Sequence, residues 1–142
     1  MTDECVFCKI VKGEIPAAKI FENEKFLAFL DINPANFGHA LVIPKEHIES
    51  MVSAKTAILK EILPLTKKIA QAIMLNRRAH GFNVCINTSR AAGQLVPHLH
   101  AHIIPRYDAD SLTIDKQKTK RYLPGEMEKI ASELSRLLST QE

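Results

Sequence analysis

No stretch of this 142-residue sequence approaches the roughly 20 consecutive apolar residues that a membrane-spanning helix needs. The opening residues, MTDE, lack the basic and then apolar pattern of a secretory signal peptide. We therefore expect a cytoplasmic protein with no membrane partner. The sequence also lacks internal repeats and low-complexity segments, and its length suits one core better than two. A single domain over residues 1–142 is the prediction.

The sequence has few cysteines and only a small net charge. Three cysteines are an odd number, which argues against a disulfide framework. In a reducing compartment the close pair Cys5 and Cys8 is more typical of a metal site, and Cys85, in an apolar segment, is predicted to be a core residue. The 19 basic and 16 acidic residues give a net charge of +3, far from the strongly basic profile of nucleic-acid-binding proteins. We expect no nucleic-acid partner.

Apolar periodicity predicts five strands and two principal helices. The predicted strands cover residues 18–22, 26–30, 39–43, 82–87 and 96–104. The predicted helices cover 54–78, kinked or restarted at Pro64, and 126–138, with a short helix or turn over 5–12. This order indicates an α+β domain with a five-stranded, mostly antiparallel sheet. Because the edge of an open sheet invites pairing, we expect a homodimer.

Three histidines alternate with apolar residues at His98, His100 and His102. Alternate residues of a strand face the same side, so the predicted fifth strand carries three imidazoles on one face and apolar side chains on the other. Two functions fit this pattern. One is a three-histidine metal site, and the other is nucleophilic catalysis by one imidazole that its neighbours orient. The spacing alone does not separate them.

Residues suited to phosphate binding precede these histidines. Asn87 and Gln94 carry amide donors that can hold phosphate oxygens, and Gly93 lets the backbone approach a ligand closely. His39 supplies a further imidazole, and Asp31 offers a carboxylate that can accept hydrogen bonds from ribose hydroxyls. The combination favours chemistry at the phosphate of a nucleotide.

The sequence resembles the histidine triad (HIT) family, in its Hint-type, zinc-containing branch. The run HLHAHII at residues 98–104 fits the family pattern of histidines alternating with apolar residues. Other similar segments follow in the family's order: CVFCKI at 5–10, GEIP at 13–16, FLDI at 29–32, GHALVIP at 38–44, AGQ at 92–94 and IPR at 104–106. The resemblance covers about residues 3–107 and leaves 108–142 as a C-terminal extension. It implies a HIT-like fold.

This resemblance also implies an activity, namely cleavage of purine nucleoside phosphoramidates or related nucleotidyl conjugates at the α-phosphate. By position, His100 would form a nucleotidyl-histidine intermediate, His102 would bind the phosphate, and His39 would orient His100. The implied substrate-binding residues are Asp31, Ile32, Phe7, Asn87, Gly93 and Gln94, with Ile32 and Phe7 as walls for the base. Two alternatives remain open: a dinucleoside polyphosphate hydrolase, and a nucleotide-binding or scaffold protein with incidental catalysis.

A metal site is expected beside the catalytic residues. Cys5 and Cys8 have the two-residue gap of a zinc knuckle, and two further ligands must come from elsewhere in the chain. The resemblance implies that His47 and His98 supply them and that each chain holds one structural zinc ion. A closed site of two cysteines and two histidines would leave His100 and His102 free.

One position departs from the family pattern. Many relatives carry a serine or threonine after the Gly-Gln pair, where its hydroxyl reaches the phosphate or the leaving group. This sequence has Leu95 there. We therefore expect Leu95 to change the substrate preference more than the activity itself.

Overall fold

The computed structural model describes residues 4–112 and 119–139. The helices are α1 (Val6–Val11), α2 (Thr56–Arg77) and α3 (Glu126–Ser139), with a short 3-10 turn at Arg90–Ala92. The strands are β1 (Lys19–Glu22), β2 (Phe26–Leu30), β3 (Ala40–Pro44), β4 (Gly81–Cys85) and β5 (Ala101–Arg106). Within the described residues no helix is long and apolar enough to cross a membrane.

The five strands form one sheet in the order β1-β2-β3-β5-β4. All four neighbouring pairs are antiparallel, which confirms the predicted α+β class and refines the sheet from mostly to wholly antiparallel among the described strands. Strands β2 and β3 are buried along their whole length because both faces of the sheet are covered there. Continuous apolar runs such as FLAFL are typical of strands buried on both faces.

Two apolar layers cover the two faces of the sheet. Ala28 and Leu30 of β2 belong to the larger core, which the sheet forms with α2 and α3. Leu27 and Phe29 face the opposite side and pack with α1, whose Phe7 contributes to this smaller core. Alternation along one strand therefore divides its side chains between the two layers. The smaller layer fixes α1 against the sheet, and the candidate site lies next to it.

The last strand begins later than the sequence predicts. It starts at Ala101 rather than at residue 96, so His98 and His100 precede it. The amide N–H of Leu99 donates to the carbonyl oxygen of Ile48 at 2.7 Å, and so this segment pairs with the loop after β3 instead of with the sheet. The predicted strand end at Pro105 is also wrong, because Pro105 lies inside β5.

The long helix continues through Pro64 as one 22-residue element, so the predicted restart at this proline does not occur. Its inward-facing side chains are buried both before and after the proline, at Ile62 and Ile69. Packing of this apolar stripe on the sheet offsets the backbone hydrogen bond that proline cannot donate. The remaining boundaries agree with the predicted ones to within one or two residues.

Candidate functional site

Two clusters of metal-ligand-type side chains lie near the start of β5. The first contains Cys5, Cys8, His47 and His98, and the second contains Asp31, His39 and His102. In each cluster the potential ligand atoms lie within 4.8 Å of one another. Their hydrogen bonds nevertheless give the two clusters different chemistry.

The Cys/His cluster has the dimensions of a tetrahedral metal site. The Sγ atom of Cys5 lies 3.4 Å from Nδ1 of His98, and Sγ of Cys8 lies 3.2 Å from Nδ1 of His47 and 3.6 Å from Nδ1 of His98. Usual zinc bonds of about 2.3 Å to sulfur and about 2.0 Å to nitrogen place tetrahedral ligands about 3.6 Å apart. The donor set and its spacing therefore fit zinc.

The tautomer of His98 suits metal binding. Its Nε2–H donates to the carbonyl oxygen of Pro44 at 2.8 Å, so the neutral ring keeps a lone pair on Nδ1, which faces the two sulfur atoms. A metal-binding histidine is usually oriented by a hydrogen bond that its other ring nitrogen donates to a carbonyl or carboxylate oxygen. Burial lowers the pKa of His98 to about 4, which keeps the ring neutral.

The second cluster is a hydrogen-bond relay rather than a set of free ligands. The amide N–H of Ala35 donates to Nδ1 of His39 at 3.0 Å, so the proton of the neutral ring is on Nε2. This Nε2–H donates to Nδ1 of His102 at 3.0 Å. His102 then carries its own proton on Nε2. Because the His39 nitrogen nearest Asp31 and His102 bears a proton, it has no lone pair to offer a metal.

Burial keeps both members of this relay neutral. It lowers the pKa of His39 to about 4, and the pKa of His102 falls to about 4 for the same reason, with the neighbouring imidazoles adding to each shift. The Asp31 carboxylate lies 3.7 Å from Nε2 of His39, and burial raises its pKa. The resemblance implies that His39 orients His100, and the structure shows that the direct hydrogen-bond partner of His39 is His102.

His100 lies between the two clusters and has the opposite tautomer. Its Nδ1–H donates to the backbone carbonyl oxygen of His98 at 2.7 Å, which leaves the lone pair on Nε2. Burial lowers its pKa, so the ring is neutral. Its ring packs against that of His102 with centroids 4.8 Å apart. His100 therefore combines an unprotonated Nε2 with a fixed ring orientation, as a nucleophile requires.

A cavity of about 450 Å³ opens beside His39 and His102. It is lined by predicted site residues, namely Asp31, His39, Asn87, Gly93 and His102, together with Asn33, Cys85, Ala92, Leu95 and Ile104. Gly93 has φ +92°, and a side chain there would lie 3.5 Å from Nδ2 of Asn87. Glycine is thus favoured by the backbone and keeps the space beside this amide open. His100 is 5% exposed and lies behind His102.

Three predicted substrate-binding residues are placed differently from the cavity lining. Gln94 is buried, and its amide holds the loop together by accepting from the Ser89 N–H and donating to the Glu49 carbonyl oxygen. Its Nε2 keeps a second N–H beyond the one that Glu49 accepts, so the phosphate contact of Gln94 stays a prediction. Phe7 is 6% exposed and packs against histidine rings. Ile32 is 69% exposed and follows β2 directly.

Cys85, which is predicted to be a core residue, lines the cavity instead. It pairs with His102 across β4 and β5, so both side chains face the cavity. Its thiol donates to Oδ1 of Asn87 at 3.1 Å, which turns the donor end of that amide away from the thiol. Alternation along β4 could have revealed this placement, since Cys85 lies two residues before Asn87.

Comparison with known proteins agrees with this geometry. The HIT domain model matches residues 12–109. The Bacillus subtilis protein named Protein hit is 40% identical over 140 residues, which cover 97% of each chain. The Schizosaccharomyces pombe adenosine 5′-monophosphoramidase hnt1 is 50% identical over 102 residues, 72% of this chain and 74% of that one.

Solved structures give the same assignment. A Zn-bound histidine triad family protein from Mycobacterium smegmatis superimposes with a TM-score of 0.86 at 35% identity, over 99% of this chain and 96% of that one. The similarity thus includes the segments that carry both side-chain clusters. The chain belongs to the HIT domain family.

Proposed function

We propose that this protein is a nucleotide hydrolase that cleaves purine nucleoside phosphoramidates at the α-phosphate through a covalent intermediate on His100. The name of the fission-yeast relative supports this substrate class. The observation that carries the proposal is the tautomer pattern of the histidines. The lone pair of His98 faces two sulfur atoms, that of His102 accepts from His39, and that of His100 remains for an incoming phosphorus.

The reaction proceeds in two displacements. Nε2 of His100 attacks the α-phosphorus, a nitrogen–phosphorus bond to the enzyme forms, and the bond to the leaving amine breaks as the amine takes a proton from water. The hydroxide left by this proton transfer then attacks the same phosphorus, the nitrogen–phosphorus bond to His100 breaks, and the nucleoside monophosphate and free His100 are released. His102 donates its Nε2–H to a phosphate oxygen, because its Nδ1 is already an acceptor for His39.

The cavity provides contacts for the rest of the nucleotide. Asp31, at the cavity wall, binds the ribose hydroxyls, and the Nδ2 donor of Asn87 binds a phosphate oxygen beside Gly93. Ile32 supplies exposed apolar surface for the base at the end of β2. With these contacts, the bound nucleotide extends from the cavity, past His102, to the ring of His100.

Replacement of the nucleophile tests the proposal. We expect His100→Ala to lower the rate of release of adenosine monophosphate from adenosine 5′-monophosphoramidate by at least ~10³-fold. His80→Ala, which removes an exposed imidazole, is the matched control and should keep the parent rate. Diadenosine polyphosphates form a second substrate arm. Faster turnover of diadenosine polyphosphates than of the phosphoramidate would make dinucleoside polyphosphates the substrate class instead. An active His100→Ala variant would refute the assignment of His100 as the nucleophile.

We also propose that Cys5, Cys8, His47 and His98 hold one structural zinc ion per chain. The fit of their spacing and the tautomer of His98 support this. With four protein ligands the ion would have no open position for substrate, so it would fix α1 to the start of β5 without taking part in the chemistry.

A metal assay tests this site. Protein purified without added metal should contain about one zinc per chain, and Cys8→Ser should lose most of it. Cys85→Ser is the matched control, since Cys85 lies outside the Cys/His cluster, and it should keep the parent zinc content. A value near zero in the parent protein with both cysteines reduced would contradict the zinc site.

We further propose that two chains pair through β4. This strand ends the sheet, and two of its apolar side chains, Phe82 and Val84, are 37% and 40% exposed. The opposite edge, β1, packs against α3. The open β4 edge therefore offers both backbone groups and apolar surface to a second copy.

A further inference from the structure

Phe7 connects the Cys/His cluster to the nucleophile. It lies on α1 between Cys5 and Cys8 and is 6% exposed. Its ring meets that of His100 edge-on, with centroids 5.1 Å apart at 84°, and that of His98 with centroids 5.8 Å apart at 74°. Edge-to-face contacts at these distances favour one relative orientation of two rings. Phe7 therefore restrains rotation of the His100 ring.

His98 forms a second connection between the same two places. Its ring uses Nδ1 toward the cysteines and Nε2–H toward Pro44, so both ring nitrogens are committed. Its backbone carbonyl oxygen accepts the Nδ1–H of His100 at 2.7 Å. Because the ring of His98 is held on both nitrogens, the residue as a whole is anchored, and with it the carbonyl that accepts the Nδ1–H of His100.

Helix α1 is too short to hold this position through its own hydrogen bonds. It has six residues, and Cys5 is its N-cap, whose Sγ accepts from the amide N–H of Cys8 at 3.4 Å. Isolated helices of this length are unstable, so tertiary contacts and the cysteine side chains must position Phe7. Metal ligation through Cys5 and Cys8 would fix both ends of the turn that presents its ring.

We propose that Phe7 and His98 are positioning residues through which metal ligation holds His100 in its Nδ1–H tautomer and reactive orientation. The inference rests on the proposed function, because it assigns a role in catalysis to the nucleophile named there. It also gives Phe7 a role different from the base wall implied by the resemblance. A wall for the base affects KM, whereas a support for the nucleophile affects kcat.

Steady-state kinetics separate these two roles. In zinc-loaded full-length protein, Phe7→Leu keeps an apolar side chain but removes the aromatic edge. We expect kcat for adenosine 5′-monophosphoramidate to fall about tenfold with KM within twofold and the zinc content unchanged. Val6→Leu is the matched control, because it introduces the same side chain at a 45%-exposed position on the same helix. It should keep the parent kcat.

Other kinetic outcomes overturn the proposal. A raised KM with parent kcat would make Phe7 a base wall, and parent values for both constants would make it a core residue only. If Phe7→Leu does not fold, Phe7→Met provides the same test, because its flexible side chain fills the space without an aromatic edge.

A spectrum of the histidine rings tests the metal connection without substrate. A long-range proton–nitrogen NMR correlation spectrum, recorded on protein whose histidines carry the nitrogen-15 label, reports which ring nitrogen of His100 is protonated. We expect one tautomer, Nδ1–H, in the zinc-loaded parent, a mixture after chelation, and recovery when zinc is restored. An unchanged His100 signal after zinc removal would overturn the proposal. A parent protein without turnover would instead contradict the proposed function, and the spectrum would still show whether metal sets the tautomer.

Discussion

Leu95 is 83% exposed at the rim of the cavity that His102 lines. Its side chain offers no hydrogen bond to a phosphate or a leaving group. We expect Leu95→Ser to raise kcat/KM about fivefold for dinucleoside polyphosphates, whose leaving group carries phosphate oxygens that accept a hydrogen bond, relative to phosphoramidates, since one net hydrogen bond contributes about 1 kcal/mol. Cleavage ratios for phosphoramidates and dinucleoside polyphosphates measure this change.

The control for Leu95 is Leu123→Ser, a 70%-exposed leucine that lies outside the cavity lining. It should preserve the parent ratio between the two substrate classes. Equal ratios in Leu95→Ser and in the parent protein would show that residue 95 does not contact the leaving group.

Single residues were predictable where their partners are close in sequence. The two-residue spacing of Cys5 and Cys8 indicated a pair that the fold does bring together, whereas His98 and His102 of the alternating histidines lie in different clusters. The tautomers were not predictable, because they depend on backbone groups of Ala35, Pro44 and His98 that only the folded chain places. The hydrogen bonds of Gln94 were not predictable for the same reason, since the carbonyl oxygen to which its Nε2–H donates belongs to Glu49.

Strands β3 and β5 are joined by a hydrogen bond between imidazoles as well as by backbone pairing. His39 precedes β3, and its Nε2–H donates to His102 of β5. Burial lowers the folded-state pKa of His39 to about 4, from an ordinary value near 6.5. The unfolded chain therefore binds the proton more readily, and the stability that neutral His39 provides is complete above pH 6.5 and is lost as the pH falls toward 4.

The lowered pKa of His39 in the folded state makes the free energy of unfolding depend measurably on pH. Between pH 7 and pH 5 the parent should lose about 2 kcal/mol of unfolding free energy through His39, and His39→Gln should lack that part of the loss. Urea unfolding at both pH values measures the difference. His80→Gln removes an imidazole that water already reaches, so it should retain the parent's dependence. Identical slopes in all three proteins would contradict the role of His39.

The predicted helices and strands agree with the structure wherever the pattern of apolar residues determines their boundaries. The start of β5 and the course of α2 were mispredicted because tertiary contacts override local signals. Residues 96–100 have strand-like alternation, but they pair with the loop that carries Ile48. Pro64 signals a helix break, yet the apolar stripe of α2 continues across it.

For the whole molecule, the open β4 edge predicts assembly. Val84→Lys places a charge on each copy at the proposed pairing edge, where it must be desolvated and lies near its own counterpart. We expect light scattering to report two chains for the parent and one for the variant at the same micromolar concentration. Val52→Lys is the control, because it adds the same charge at an 81%-exposed residue between β3 and α2. A monomeric parent protein would contradict the proposed pairing. A Val84→Lys variant that remains a dimer would show that the interface does not lie at β4.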